Sequence, residues 1–291
     1  MLTLSHRLQT ICDMVTPGLR ICDVGCDHAY VDIRLLQEGK VPSALAMDVA
    51  DGPLATAAAN LELTELSDRC ITRKSNGLAA YEPGEADCMI CAGMGGILMR
   101  SLLEAEPDKV RSFRELILSP QSEIHLVREW LFAGGFRIAD EKFLTDEGKY
   151  YTVMKVLVPD SGEQERPDWD GLLAWVRSLP ESTLREALVD RQELVRILQD
   201  PGFREMTEKT YGPCILHRFL EERKEPCFGK FLMEGLRSRR AIAKKLSAAA
   251  AGEAGRKESE NAAWRLQEIR GEIGIYQVLL AVPMLRQIHQ E

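Results

Sequence analysis

The sequence predicts an α/β fold: an open, doubly wound sheet that ends in an antiparallel hairpin, followed by a helical region. Three observations carry that expectation. Five short apolar runs alternate with helical patterns through the first part of the chain. Two longer extended runs follow, joined by a short turn containing glycine. From about Asp160 onward strand signals cease and helical periodicity takes over.

Leu4, Leu8, Ile11, Cys12 and Val15 recur at helical spacing, so the chain opens with an amphipathic helix. Strands are expected in "RIC", "ALAMDV", "CITRK", "DCMICA" and "ELILS". The helices between them run from Tyr30 to Gln37, closed by Gly39, and from Pro53 to Leu63, with proline in the first turn. Two more run from Ile97 to Glu104 and from Glu123 to Phe132, the last closed by Gly134 and Gly135. Helices between successive strands make the sheet parallel and cover both of its faces. "FRIADEKFLT", "DEGK" and "YYTVMKVLV" then read as a hairpin. A doubly wound sheet whose last strand is antiparallel resembles the plan of class I (Rossmann-like) methyltransferases. Nicotinamide dehydrogenases normally continue with parallel strands.

Three regions are expected: residues 1–160 as the sheet domain, 161–210 as linker and helical insertion, and 211–291 as an antiparallel helical hairpin. "PDSGEQERPDWDG" is polar and rich in Pro and Gly, and the stretch after it is helical with a break at Pro180. Beyond "YGP", two long helical patterns face each other across "SAAAAGEAG". In the second, Leu266, Ile269, Ile273, Tyr276 and Leu280 step 3-4-3-4, the seam of a coiled coil. The first (Leu216, Leu220, Phe228, Leu232, Leu236, Leu246) is less regular.

Composition bounds the function. The chain has 291 residues, 45% apolar and 28% charged, as ordinary soluble domains do. No run approaches 18 apolar residues, and the N-terminus lacks the parts of a secretory signal. Eight scattered cysteines suit reduced thiols, so a cytoplasmic location is expected. Cys88 and Cys91 form a C-x-x-C, but on a strand they point to opposite faces, and no metal site is expected. The net charge of −8 argues against a nucleic-acid partner for the chain as a whole. Between Arg218 and Lys245, however, nine Lys or Arg stand against four Glu, and phosphates respond to a local patch.

The first strand-turn-helix reads "DVGCDHAY", with one glycine, Gly25, where a dinucleotide site has three; Asp27 holds the second position. Asp23 and Asp27 would repel a pyrophosphate. They suit S-adenosyl-L-methionine, which carries an ammonium and a sulfonium, while helix N–H groups can receive its carboxylate. Asp48 ends the second strand 25 residues after Asp23, where an acid takes ribose hydroxyls, with Val49 beside it. Asn76 and Gly77 follow the third strand, where a side chain can reach the adenine amino group. Ala92, Gly93, Met94 and Gly95 of "AGMGG" follow the fourth strand at the topological switch, and Pro120 and Gln121 of "SPQ" follow the fifth.

In this order "DVGCDHAY", "DVADGP", "NGL", "AGMGG", "LILSPQ" and "GKYYTV" resemble the bacterial tRNA (adenine-22-N1)-methyltransferase family, with "SHRLQTI" before them and "YGP…FLEERK" after. The resemblance spans about residues 1–158 and 211–291. It implies a cytoplasmic enzyme, expected to be a monomer, that moves a methyl group from S-adenosyl-L-methionine to N1 of adenine 22 in tRNA. It implies that Asp27, His28 and Tyr30 surround the reacting methyl, Tyr30 stacking on or orienting the base. It also implies tRNA contacts from Arg7, Pro120 and Gln121, and from Arg223, Lys224, Lys230, Arg237, Arg239 and Arg240 on the basic helices. The chain departs from the family at Asn76, usually Asp, at Ser119-Pro120-Gln121, usually "QPN", and in the length of residues 160–210. Two other readings fit the residues. One is a class I methyltransferase acting on another RNA, a protein or a small molecule. The other is a non-catalytic nucleotide- or RNA-binding module.

Overall fold

The computed structural model describes residues 3–158, 162–186, 190–222, 225–251 and 256–290. The first part runs α1 (His6–Met14), β1 (Ile21–Val24), α2 (Tyr30–Gln37), β2 (Ala44–Asp48), α3 (Asp51–Leu63), β3 (Cys70–Lys74), β4 (Cys88–Ala92), α4 (Gly96–Ala105), α5 (Pro107–Arg111), β5 (Glu115–Ser119), α6 (Ile124–Ala133), β6 (Arg137–Asp146) and β7 (Lys149–Leu157). Ser5 caps α1, its hydroxyl accepting the Leu8 N–H. The short helix α5, begun by Pro107, is an addition to the elements expected from periodicity.

The strands form one seven-stranded sheet in the order β3-β2-β1-β4-β5-β7-β6. The first five are mutually parallel, and β7 is antiparallel to both β5 and β6. Strand order therefore reverses between β1 and β4, and the carboxyl ends of these two strands open the crevice where α/β sheets bind ligands. Apolar side chains on the two faces make two cores. One takes Ile11 of α1, Leu35 of α2 and Leu61 of α3; the other takes Met99 of α4, Val110 of α5 and Leu131 of α6. Cys88 belongs to the first core and Cys91 to the second, so the two thiols of "CMIC" lie on opposite faces of β4.

The chain divides into two compact units, residues 1–165 with 209–214, and residues 166–208 with 215–291. Segment 209–214 thus returns to the sheet unit, and a buried ion pair holds it there. Arg128 on α6 and Glu141 on β6 have fully buried side chains, with Nε 2.9 Å from Oε1. Arg128 Nη1 donates to the carbonyls of Lys209 and Thr210 at 3.1 and 2.8 Å, and Glu141 accepts the Cys214 N–H at 3.1 Å. Gly212 has φ +94°, and a Cβ there would meet the Glu141 carboxylate at 2.3 Å. Both its conformation and its neighbour require glycine, which accounts for the "YGP" motif.

The second unit is helical: α7 (Trp169–Ser178), α8 (Glu181–Glu186), α9 (Arg191–Gln199), α10 (Pro201–Tyr211, whose last turn lies in the first unit), α11 (Pro213–Leu220), α12 (Pro226–Ala251) and α13 (Arg256–Gln290). The stretch expected to include a linker thus carries four helices. The first pattern expected in the terminal hairpin is two helices, because Pro226 starts a new one after α11 ends at Leu220. Helices α12 and α13 run antiparallel. Gly235 faces the Tyr276 ring, and Arg239 pairs with Glu272, so advancing along one helix retreats along the other. Leu266, Ile269 and Tyr276 of the expected seam are buried, as are Phe228 and Leu232 opposite.

Candidate active site

The turn after β1 is held from beneath, the N–H groups of Gly25 and Cys26 both donating to the Met47 carbonyl at 2.8 and 3.0 Å. Gly25 has φ +80°, and a Cβ on it would come 3.1 Å from the Met94 methyl, so the β1 turn packs directly on the "AGMGG" loop. Asp27, at the second glycine position of a dinucleotide turn, and Ala29 also take left-handed conformations, with φ 50° and 56°. Such backbone in non-glycine residues costs of order 1–3 kcal/mol each and persists where the surroundings enforce it, as at binding sites.

Asp48 is oriented by two backbone donors, Asp27 N–H to Oδ2 at 3.3 Å and Ala50 N–H to Oδ1 at 2.9 Å. Each oxygen keeps a free lone pair for a hydroxyl. The Ser75 N–H donates to the Asp48 carbonyl at 2.9 Å, which sets exposed Asn76 next to this carboxylate and exposed Val49. The loops after β4 and β5 are tied together by Gln121 N–H to the Met94 carbonyl at 2.9 Å and Gly96 N–H to the Ser122 carbonyl at 2.9 Å.

These loops surround a cavity of about 360 Å³ at the β1–β4 crevice. Asp23, Gly25, Asp27, His28, Tyr30, Asp48, Ala92, Gly93, Gln121 and Arg7 line it, all of them residues singled out from the sequence. Val49, Asn76, Gly77, Met94, Gly95 and Pro120 lie outside its lining. Leu8, Cys26, Val31 and Ile90 also line it and went unmarked, because each reads as ordinary core or helix.

Two buried polar atoms on this cavity lack a partner among the described residues, Arg7 Nη1 and His28 Nδ1. Arg7 stacks on the Tyr151 ring, 5.2 Å from its centroid, and its backbone N–H donates to Asp146. His28 is fixed by its own carbonyl, which accepts from Asn60 at 3.0 Å; its Nε2 lies 3.5 Å from Asp27 Oδ1 and its ring 5.4 Å from that of Tyr30. Asp23 is buried, and desolvation first, then Asp32, Asp48 and Asp27, raise its pKa well above the ordinary carboxylate range. The site is thus acidic at its floor with one guanidinium on its wall. That donor set fits a ligand carrying an ammonium, a carboxylate and a ribose, and opposes a pyrophosphate.

On α12, Lys230, Arg237 and Arg240 are exposed, whereas Arg239 is half-buried and paired with Glu272. Arg237, Arg240 and Lys244 fall at i, i+3 and i+7, one stripe of the helix. Arg223 and Lys224 lie outside the described residues. None of the described helices is long and apolar enough to cross a membrane.

The methyltransferase domain family matches residues 4–154. A tRNA (adenine(22)-N(1))-methyltransferase of Bacillus subtilis is 36% identical over 171 residues, covering 59% of this chain and 70% of that protein. Among solved structures, the B. subtilis m1A22 tRNA methyltransferase TrmK superposes with TM-score 0.64 at 28% identity, covering 94% of this chain and 100% of that one. Streptococcus pneumoniae Sp1610, solved in complex with S-adenosyl-L-methionine, superposes with TM-score 0.62 at 25% identity, covering 93% and 100%.

Proposed function

We propose that this chain, which belongs to the tRNA (adenine(22)-N(1))-methyltransferase family, methylates N1 of adenine 22 in tRNA at the β1–β4 cavity. The observation that carries the reading is the gathering of Asp23, Asp27, His28, Tyr30 and Asp48 around one cavity whose donor set fits S-adenosyl-L-methionine. When bound, that cofactor supplies an electrophilic sulfonium methyl. Asp48 holds the ribose hydroxyls, Asp23 receives the ammonium, and Val49, Asn76 and Gly77 border the adenine. The backbone of Ala92 and Gly93 walls the other side, and Met94 and Gly95 complete the loop that holds them there. Arg7, with a buried and unpartnered Nη1 on the same cavity, gives the cofactor's carboxylate a counter-charge as well as reaching toward RNA.

N1 of neutral adenine carries its own lone pair, so no residue needs to act as general base. Alignment carries the catalysis, and a positioned near-attack geometry can supply on the order of 7–11 kcal/mol. Tyr30, partly exposed at the mouth, stacks on the base; His28 orients it, and exposed Asp27 favours the positive charge that develops on the methylated ring. Gln121 meets the base from the β5 side, on a turn set by buried Pro120. N1 is a pairing edge, so the base must leave its stack at a cost of a few kcal/mol. Lys230, Arg237, Arg239 and Arg240, with Arg223 and Lys224, contact tRNA phosphates. A tRNA substrate places the chain in the cytoplasm.

The test incubates unmodified tRNA bearing adenine 22, and a copy with guanine there, with enzyme and S-adenosyl-L-methionine. The products are read by reverse transcription. A cofactor-dependent stop at position 22 in the first RNA alone is expected, because an N1-methyl blocks pairing. Methyl transfer with the stop elsewhere would overturn the target position; no transfer to tRNA would overturn the substrate class.

A further inference from the structure

Asp32 occupies the first turn of α2 and has no exposed surface. Among the described residues no N–H of another residue satisfies its carboxylate, which has only its own backbone N–H and the Asp23 carboxyl beside it. Its neighbour within hydrogen-bonding reach is Asp23, buried at the end of β1 and facing the cofactor cavity. Two carboxylates cannot hydrogen-bond each other unless one keeps a proton, and two adjacent buried charges of like sign are costly. The orphaned oxygens of Asp32 are what such a proton would satisfy.

Among the described residues no cation is paired with Asp23 or Asp32. Asp48 from the end of β2 and Asp27 from the turn add negative charge to the pair. The thiols of Cys22 on β1, Cys26 in the turn, Cys70 on β3 and Cys91 on β4 are held well above their ordinary range, by burial first and then by these carboxylates. Along α2, Arg34 is already paired with Glu38. Arg7, His28 and Tyr30 line the cavity above, Arg7 from α1 and the other two from the start of α2 and the turn before it. Burial lifts both carboxyls above the ordinary carboxylate range, Asp23 further than Asp32.

We propose that Asp23 and Asp32 share one proton in the cofactor-free protein and release it when the cofactor's ammonium takes its place, which makes Asp32 a positioning residue acting through Asp23. The exchange balances: Asp23 passes from carboxylic acid to carboxylate, the proton goes to solvent, and the ammonium brings one positive charge in its stead. Asp32 then stands as a second carboxylate beside Asp23, and the ammonium's positive charge offsets the repulsion that the proton had relieved. This rests on the cofactor reading above.

The test is titration calorimetry of S-adenosylhomocysteine into the full chain at pH 6.5, in phosphate, Mes and imidazole buffers. The ligand keeps the ammonium, and its α-amino group, with an ordinary pKa of about 7.7–8.0, is already charged there. The dependence of measured heat on buffer ionisation heat counts the protons. Close to one proton released is expected, with Kd falling about tenfold from pH 5.5 to pH 6.5. Asp32→Asn, whose amide donates to Asp23 directly, should release close to none and lose that pH dependence. Binding without proton release in the wild type overturns the proposal, whether or not the variant folds. Equal release by wild type and Asp32→Asn overturns it too. Failure of the wild type to bind at all would instead remove the cofactor reading, and this proposal with it.

Discussion

Arg128 and Glu141 form an ion pair with fully buried side chains, and between them they bond the backbone at Lys209, Thr210 and Cys214. Removing one partner of such a pair leaves a buried charge uncompensated, which costs about 3–5 kcal/mol. Arg128→Met should therefore lower the unfolding free energy of the sheet unit by that much, read as a lower urea midpoint. Adding Glu141→Leu should restore part of the loss, since an apolar pair of similar volume is often no worse. A single variant with an unchanged midpoint would mean that segment 209–214 is held by other contacts.

Asp48→Asn keeps the shape of the ribose contact and removes its charge. The Kd for S-adenosyl-L-methionine should rise on the order of 10- to 100-fold, since a hydrogen bond to a charged group is worth about 1.5–3 kcal/mol. Titration calorimetry measures this, with the thermal midpoint of the ligand-free protein as the control for folding. Unaltered affinity would remove Asp48 from the site.

The stripe of Arg237, Arg240 and Lys244 should carry much of the salt dependence of tRNA binding. Replacing all three with alanine should reduce the slope of log affinity against log salt by about two, because each phosphate contact contributes about 0.7–0.9. Filter binding between about 50 and about 200 mM salt reads the slope. A slope equal to that of the wild type would move the RNA contact to another surface.

Acid stability should depend on Arg73 and Glu85. The Arg73 guanidinium donates to both Glu85 oxygens at 2.7 Å and holds that carboxyl at about 2, below its ordinary 4.5. A depressed folded-state pKa stabilises above the unfolded value and is lost as pH falls through the folded one. The difference in thermal midpoint between wild type and Glu85→Gln should thus be constant well above about pH 4.5, shrink as pH falls, and vanish only below about pH 2. A difference undiminished at about pH 2 would assign the effect to packing.

Much of the sheet was legible because its strands are apolar runs bounded by turn residues. "CITRK" is β3 from end to end, and Tyr30 to Gln37 is α2. The fourteen residues around the cavity were legible where a motif marks a strand end, and hidden where side chains look like core, as at Leu8 and Ile90. Asp32 and Arg128 were hidden for another reason: a charged residue on a helix reads as the solvated face, and only tertiary packing shows both fully buried. The split between α11 and α12 was missed although Pro226 announces it, because apolar spacing on either side runs in register across the break.

The path of the chain between Gln164 and Cys214 has a consequence for dissecting the protein. Gln164 borrows a strand's pairing, its side-chain amide exchanging two 2.8 Å hydrogen bonds with the Ile138 backbone, and Cys214 Sγ lies 3.5 Å from the same Ile138 carbonyl. Residues 166–208 therefore leave and rejoin the sheet unit beside one residue, as a cassette spliced into a host would. A fragment cut after residue 165 strips the strap off Arg128 and Glu141, so a minimal catalytic domain should instead end beyond residue 214, or excise the cassette and bridge its two neighbouring ends.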